Sequence, residues 1–304
     1  PRNTGLINTS KKINNLIMQN DNIYACTSSG IYFTTDYGSQ WIHFNSYNFQ
    51  KNVKNLEFCG SDFLIADYSG VYKVKPSEWT NHSSGIYSLT PKSISSTSNS
   101  DLIYSSSTGL FRSQDSGNNW SEIDLNIFFG SCTFICKDSV YFTQSASGLF
   151  YLSTDYGVDW NYTGSHLGSN LGMSFLRESN IIFASFFASS NPPNPPFSRM
   201  GYTSDYGISW NYCNIVNITD IFSVIGTMPG DLVFCYVYDL WNNEQLGIYR
   251  TENFGISWIE SNSGLPDISL NAISIDKLFN LYVFIDGEIY KLNKTNFIWE
   301  YFAE

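Results

Sequence analysis

The sequence predicts an all-β protein: a seven-bladed β-propeller of four-stranded antiparallel blades, with octet turns between the third and fourth strands. Three observations predict it. First, one octet recurs: a hydroxyl, any residue, an acid, any residue, glycine, two residues, tryptophan. It reads Thr34-Thr-Asp36-Tyr-Gly38-Ser-Gln-Trp41, Ser113-Gln-Asp115-Ser-Gly117-Asn-Asn-Trp120, Ser153-Thr-Asp155-Tyr-Gly157-Val-Asp-Trp160 and Thr203-Ser-Asp205-Tyr-Gly207-Ile-Ser-Trp210. A fifth copy, Thr251-Glu-Asn253-Phe-Gly255-Ile-Ser-Trp258, carries an amide in place of the acid. Second, the tryptophans at 41, 79, 120, 160, 210, 258 and 299 stand 38, 41, 40, 50, 48 and 41 residues apart. A period of roughly 40–50 residues holding several short strands marks a propeller array. Third, a glycine, an aliphatic and an aromatic lead into the octet, as in Gly30-Ile-Tyr32, Gly109-Leu-Phe111, Gly148-Leu-Phe150 and Gly247-Ile-Tyr249. The same lead stands at Gly70-Val-Tyr72 before Trp79 and, one residue longer, at Gly287-Glu-Ile-Tyr290 before Trp299. Those two copies lack the Asp and Gly of the turn and keep the tryptophan.

Each period divides into four strands, A to D. Strand B is a short apolar run after a turn-forming Asn, Asp or Ser, as in Asp62-Phe-Leu-Ile-Ala, Asp101-Leu-Ile-Tyr and Asn280-Leu-Tyr-Val-Phe; such a run suits a buried strand. Strand A is the apolar stretch upstream, such as Ala272-Ile-Ser-Ile275. Strand C starts at the glycine lead and D carries the tryptophan. This places the blades at about 7–45, 46–83, 84–124, 125–164, 165–214, 215–262 and 263–304 of a single 304-residue domain. The opening Asn3-Thr-Gly-Leu6 resembles Asn262-Ser-Gly-Leu265, so seven whole periods run in phase and no blade need be shared between the two ends.

The octet explains itself as a turn. Its carboxylate suits an Asx-type turn, accepting backbone N–H groups, and the hydroxyl two residues earlier can join that network. The glycine supplies a positive φ, and the tryptophan packs between sheets. Asp36, Asp115, Asp155, Asp205 and the amide Asn253 are therefore expected to be structural, because a device repeated in each blade serves the repeat and not one site.

Composition narrows the function. The chain has 23 Phe, 21 Tyr and 8 Trp, bulk that suits sheets packed face to face. Its net charge is −11, which argues against nucleic acid or an anionic membrane surface as partner. No apolar run approaches the length of a transmembrane segment. The six cysteines, at 26, 59, 132, 136, 213 and 235, show no CxxC pairing and read as small buried thiols. With three histidines in the chain, a His-based metal site is not expected, and no cofactor is called for. Asn-x-Ser/Thr sequons at Asn8, Asn81, Asn119, Asn161, Asn217 and Asn293 matter only in a eukaryotic secretory setting. The chain opens on Pro1 without a methionine, so it is expected to be either processed, as by loss of a signal peptide, or a fragment.

The octet is identified as an Asp-box, or BNR repeat, and the chain resembles Asp-box β-propellers over nearly its whole length. That resemblance is specific for fold and poor for function. Asp-boxes occur in sialidases, xyloglucan-degrading hydrolases, sortilin-type receptors, a photosystem assembly factor and many secreted bacterial proteins; the link Gly264-Leu-Pro266 looks like the last group. Sialidases need an arginine triad, a Tyr–Glu pair and an Arg-Ile-Pro motif. This chain has five arginines, of which Arg112 and Arg250 occupy equivalent strand C positions, and no Arg-Ile-Pro. The xyloglucan hydrolases use two propellers with a cleft between them, and one is present here. The photosystem factor carries a basic patch that this acidic chain lacks. A glycosidase would need two facing carboxylates; Asp67, Asp239, Asp276, Asp286 and Glu288 remain after the octet acids, and none forms a recognisable pair. No catalytic residue is assigned.

A binding site is expected where the repeat is broken. The fifth period carries the insertion Ala188-Ser-Ser-Asn-Pro-Pro-Asn-Pro-Pro-Phe-Ser-Arg199 between strands B and C, and the sixth carries Asp239-Leu-Trp-Asn-Asn-Glu-Gln-Leu246. Both should project from the B–C ends of adjacent blades. Trp241, outside the repeat, with Asp239, Asn242, Asn243, Phe197 and Arg199, is the expected ligand or partner site, suited to stacking on a sugar or anchoring a protein. The expected role is a non-catalytic secreted, cell-surface or periplasmic binding or scaffold propeller for a protein or glycan. The alternatives are a glycan-active hydrolase with an unrecognised carboxylate pair and a structural module of a larger surface assembly.

Overall fold

The computed structural model describes residues 4–6, 13–19, 22–44, 52–59, 62–75, 78–88, 90–97, 100–125, 133–145, 148–166, 169–175, 180–188, 197–213, 221–228, 230, 232–239, 244–270, 272–275, 280–285 and 288–302. Among these, all regular structure is strand, and it forms seven four-stranded antiparallel sheets: a seven-bladed β-propeller, as the tryptophan periods predict. In chain order the blades are β1–β4 (Ile13–Gln19, Asn22–Thr27, Gly30–Thr34, Ile42–His43), β5–β8 (Asn55–Cys59, Asp62–Asp67, Gly70–Lys75, Glu78–Asn81) and β9–β12 (Pro91–Ser96, Leu102–Ser106, Leu110–Ser113, Ser121–Glu122). Then come β13–β16 (Thr133–Lys137, Val140–Gln144, Leu149–Ser153, Asn161–His166), β17–β20 (Ser169–Phe175, Ile182–Ala188, Phe197–Thr203, Asn211–Tyr212) and β21–β24 (Ile221–Met228, Leu232–Asp239, Glu244–Thr251, Ile259–Glu260). The last is β25–β28 (Ala272–Ile275, Leu281–Ile285, Glu288–Leu292, Trp299–Tyr301). No helix is long and apolar enough to cross a membrane, among the described residues.

Every blade is a meander in which A pairs with B, B with C and C with D. Strand B is sandwiched on both faces, which is why it reads as a continuous apolar run: β10 and β26 are buried at every residue. The tryptophan stands immediately before strand D in the five octet copies, and within it only at Trp79 and Trp299. The sequence had placed it on D throughout; the octet turn is one residue longer than that reading allows.

The chain packs as two compact units, Pro1–Asp124 with Ser263–Glu304, and Leu125–Asn262. In the first unit the opening and closing blades of the chain meet. Trp41 is buried against Tyr282, Phe284 and Ile289, and the Ser274 hydroxyl donates to the Leu16 carbonyl at 2.9 Å. The next seam joins Leu56, Phe63 and Val74 to Cys26 and Ile31. The third joins Leu64, Ala66 and Val71 to Leu102, Tyr104, Phe111 and Trp120. In the second unit Phe142 and Phe150 pack on Ile182, Ala184 and Trp210, and Phe183 and Met200 on Val233, Val237 and Trp258. Trp41, Trp120, Trp210 and Trp258 thus fill the seam with the preceding blade, and the burial of each contributes about 2–3 kcal/mol or more.

A further element recurs in the first unit. The Trp41 N–H donates to Thr4 O, Trp120 N–H to Ser84 O and Trp299 N–H to Ser263 O, each at 2.8 Å. The next residue is glycine each time. At Gly85, φ is +91° and a Cβ would lie 1.9 Å from the Trp120 carbonyl oxygen, so no side chain fits. The sequence showed Gly5 and Gly264 as equivalent links without their bond to the tryptophan; the third copy of this latch, Ser84-Gly85-Ile86, went unread because it sits behind a blade without an octet.

Candidate functional site

The octet turns use three hydrogen bonds in all five copies. The hydroxyl accepts the glycine N–H at 2.8–2.9 Å. It donates to the acid, or to Asn253 Oδ1, at 2.7–2.9 Å. That same oxygen accepts the N–H four residues on, at 2.9–3.0 Å. The residue before each glycine, Tyr37, Ser116, Tyr156, Tyr206 or Phe254, also takes a positive φ of 54–62°. That is a costly conformation for a non-glycine residue, sustained here by the bonds on either side. Sequence reading credited the positive φ to the glycine alone.

These bonds hold the acids ionised. Asp115 is held down at about 2, first by the Asn119 backbone N–H and then by its side-chain amide. Asp36 is lowered chiefly by the Gln40 N–H. At Asp155 and Asp205 desolvation works upward but is outweighed, by the Asp159 N–H and Ser153 hydroxyl in one and by Ser209 and Thr203 in the other. The tool kit of the octet is thus consumed in building the turn.

The two worn copies make the same connection differently. In the last blade, Asn293 Oδ1 accepts Thr295 N–H at 2.9 Å, Asn296 Oδ1 accepts Ile298 N–H at 3.0 Å, and Phe297 takes the positive φ. In the second blade β7 and β8 pair out to Lys75 and Glu78, leaving two residues between them.

The B–C insertions of the fifth and sixth blades are partly strand. β18 and β19 pair until Ala188 meets Phe197, and β22 and β23 until Asp239 meets Glu244. Of the ranges 188–199 and 239–246 that the sequence reading drew as loop insertions, Ala188, 197–199, Asp239 and 244–246 belong to the ladders, and 189–196 and 240–243 lie outside the described residues. Phe197 and Arg199 fall in β19, opposite Ala188 and Phe186, and Asp239 ends β22. Trp241, Asn242 and Asn243 lie outside the described residues. The two blades are neighbours, sharing the Phe183–Val237 seam.

The remaining candidate acids have local partners or lie outside the described residues. Asp67 Oδ1 accepts Ser69 N–H at 2.7 Å and its hydroxyl at 2.6 Å. Glu288 accepts the Tyr290 hydroxyl at 2.7 Å, and Asp276 and Asp286 are not described. Arg112 makes a half-buried pair with Asp101 through Nε at 2.7 Å, and Arg250 pairs with Glu252 at 3.3 Å. Among the described residues no three His, Cys, Asp or Glu side chains gather as a metal site. Cys26 and Cys235 are buried thiols, and burial pushes Cys213 up to about 12. Strand A of the first unit spends its amides between blades: Asn15 Nδ2 donates to Asn55 Oδ1 at 2.6 Å, and Asn55 Nδ2 to Lys92 O at 2.8 Å.

A pocket of about 470 Å³ opens between the last blade and the first octet turn, lined by Tyr37, Asn280, Lys291, Asn293, Glu300 and Phe302 among others. Tyr37 meets Phe302 edge-on at 4.4 Å, Lys291 Nζ lies 5.2 Å from the Phe302 ring, and Asn293 donates to Glu300 at 2.7 Å. Its walls come from opposite ends of the chain, so no local pattern could have disclosed it.

The fold is similar to that of the GH74 xyloglucanase from Xanthomonas campestris, with a TM-score of 0.68 at 11% identity over 96% of this chain and 53% of that one. An ancestral GH74 enzyme matches with a TM-score of 0.66 at 12% identity, over 98% of this chain and 47% of the other. YCF48 from Cyanidioschyzon merolae matches with a TM-score of 0.69 at 13% identity, over 95% and 98%. The chain spans about half the length of the two GH74 structures. Likeness at these identities is likeness of fold. No protein-family model matches the chain, and no curated protein matches it in sequence.

Proposed function

We propose that this chain is a non-catalytic binding or scaffold propeller of the Asp-box kind, acting outside the cell, at its surface or in the periplasm. It recognises a protein or glycan through the B–C ends of its fifth and sixth blades. The observation that carries this reading is the pair of B–C hairpins on neighbouring blades, with strands of seven and eight residues where other blades use four to six. A ladder that runs further along both hairpins is a rigid support for what it carries and keeps the ordering cost of recognition low. The octet acids support the reading from the other side, since each is bound into its own turn. Asp36, Asp115, Asp155, Asp205 and Asn253 act in stability, and Trp241, with Asp239, Asn242, Asn243, Phe197 and Arg199, in recognition.

The test is a glycan array and a protein pull-down run on wild type and Trp241→Ala. Loss of about 2 kcal/mol or more of binding is the expected result, the scale of an interface anchor. Unchanged binding would return the insertions to tolerated variation. A glycan-active hydrolase is the second reading, favoured by the fold likeness to GH74 enzymes over one half of their length. Release of reducing ends from xyloglucan by the isolated chain would establish it over the first.

A further inference from the structure

The octet has two free positions between its glycine and its tryptophan, and the two units fill the first of them differently. The first unit has Ser39 and Asn118 there. The second has Val158, Ile208 and Ile256, which are 65%, 69% and 69% exposed. The turn bonds are the same in both units, so the turn does not call for an aliphatic side chain. Two-thirds exposure also means that little of their surface is buried in the fold. Lone exposed aliphatics are ordinary on any protein surface; the same position filled alike on three consecutive blades is a row, and rows of this kind mark contact surfaces.

Charge limits what can cover that row. A–B and C–D turns share one end of each blade. On that end of the second unit the described charged groups are Asp138, Asp155, Asp159, Asp205 and Glu252 against Lys137 and Arg250, and Arg250 is bonded to Glu252. A second copy of this chain would set the same carboxylates against these. Anionic lipid or nucleic acid would be repelled likewise. A chain carrying both apolar and basic side chains answers both features.

We propose that the C–D turn end of blades four to six docks a basic, apolar polypeptide segment, with Val158, Ile208 and Ile256 as its apolar contacts and Asp155, Asp159 and Asp205 as its electrostatic ones. The surface lies at the opposite end of the blades from the B–C hairpins and is independent of them.

Fluorescence anisotropy with two labelled synthetic peptides tests this: an amphipathic 18-mer of Lys and Leu, and the same peptide with Glu for Lys. The Lys peptide should bind, more weakly as salt rises, and the Glu peptide should not. The triple variant Val158→Ser, Ile208→Asn, Ile256→Ser should weaken binding at least about tenfold. It should fold normally, because Ser39 and Asn118 already occupy this position in other turns. Asp159→Lys, which leaves the aliphatic row intact, should weaken binding separately. Ile42→Ser, an exposed aliphatic of the first unit, and Trp241→Ala should leave it unchanged. No binding of the Lys peptide, equal binding of the Glu peptide, or full binding by the triple variant would overturn the proposal. So would a wild-type dimer that the triple variant converts to monomer, which would make a second copy the occupant.

Discussion

The turns at Ser113–Trp120 and Thr203–Trp210 are built alike and finished differently. Both close with a hydroxyl bonded to a glycine N–H at 2.8 Å, and both carry an acid accepting the N–H four residues on at 2.9 Å. One then shows Asn118 to solvent and the other Ile208. Four positions of the octet are fixed by the backbone path: the hydroxyl, the acid, the glycine and the tryptophan. The positions between them answer to whatever the surface meets. Frame and face can therefore be varied separately, and the comparison can be attacked at either.

The heaviest blow falls on the frame of the first turn alone. Gly85→Ala forces a Cβ onto the Trp120 carbonyl at a positive φ, and should cost about 3–5 kcal/mol in urea unfolding as strain and overpacking add. Preserved stability there would mean that the latch does not hold Trp120.

Next come the acids, where the two turns should respond alike. Asp115→Ala and Asp205→Ala should each cost about 1–3 kcal/mol by leaving backbone donors unpaired. Asn at either position should cost less, because Asn253 keeps the hydroxyl and backbone bonds in its own turn at 2.9 and 3.0 Å. A large difference between the two Ala variants, or loss of ligand binding with stability intact, would break the equivalence.

The acid limb of stability sharpens this. The folded pKa of these groups lies below the usual carboxylate value of 3.8, so their contribution is present above that pH. It is lost as pH falls from about 4 towards 2, the value to which Asp115 is held. Thermal melts across pH 2–5 should show the loss in wild type and a flatter limb in Asp115→Asn.

The face should show the smallest effect. Asn118→Ile and Ile208→Asn should each change stability by less than about 0.5 kcal/mol. A larger loss in Ile208→Asn would show that the aliphatic belongs to the frame after all.

The frame was largely legible in the sequence because tryptophan, glycine and a hydroxyl–acid pair leave their mark at fixed spacing. Blade number, strand order and the octet turns all followed from them. The latch at Ser84-Gly85-Ile86 was missed because the blade before it carries no octet to mark the link. The hairpin ends were drawn as loop because prolines dominate residues 192–196, although the flanking Phe197-Ser-Arg199 continues a ladder. The aliphatic row was in plain view, but a position written as any residue discards the pattern that distinguishes Val158 and Ile208 from Asn118. The Tyr37–Lys291 pocket had no local signature, since its walls are joined only by the fold.

The seam between the opening and closing blades sets a delay. Leu16 finds its bond to Ser274, 258 residues on in the chain, and Trp41 its contact with Phe284, only after nearly the whole chain has been made. At the usual ribosomal pace of 5–20 residues per second, that is roughly 10–50 s during which one apolar side of the first blade waits uncovered. Contacts this distant in sequence also form slowly once the chain is free. The first blade is thus the part of this protein most exposed to aggregation while it is born, and the part for which a chaperone would matter most.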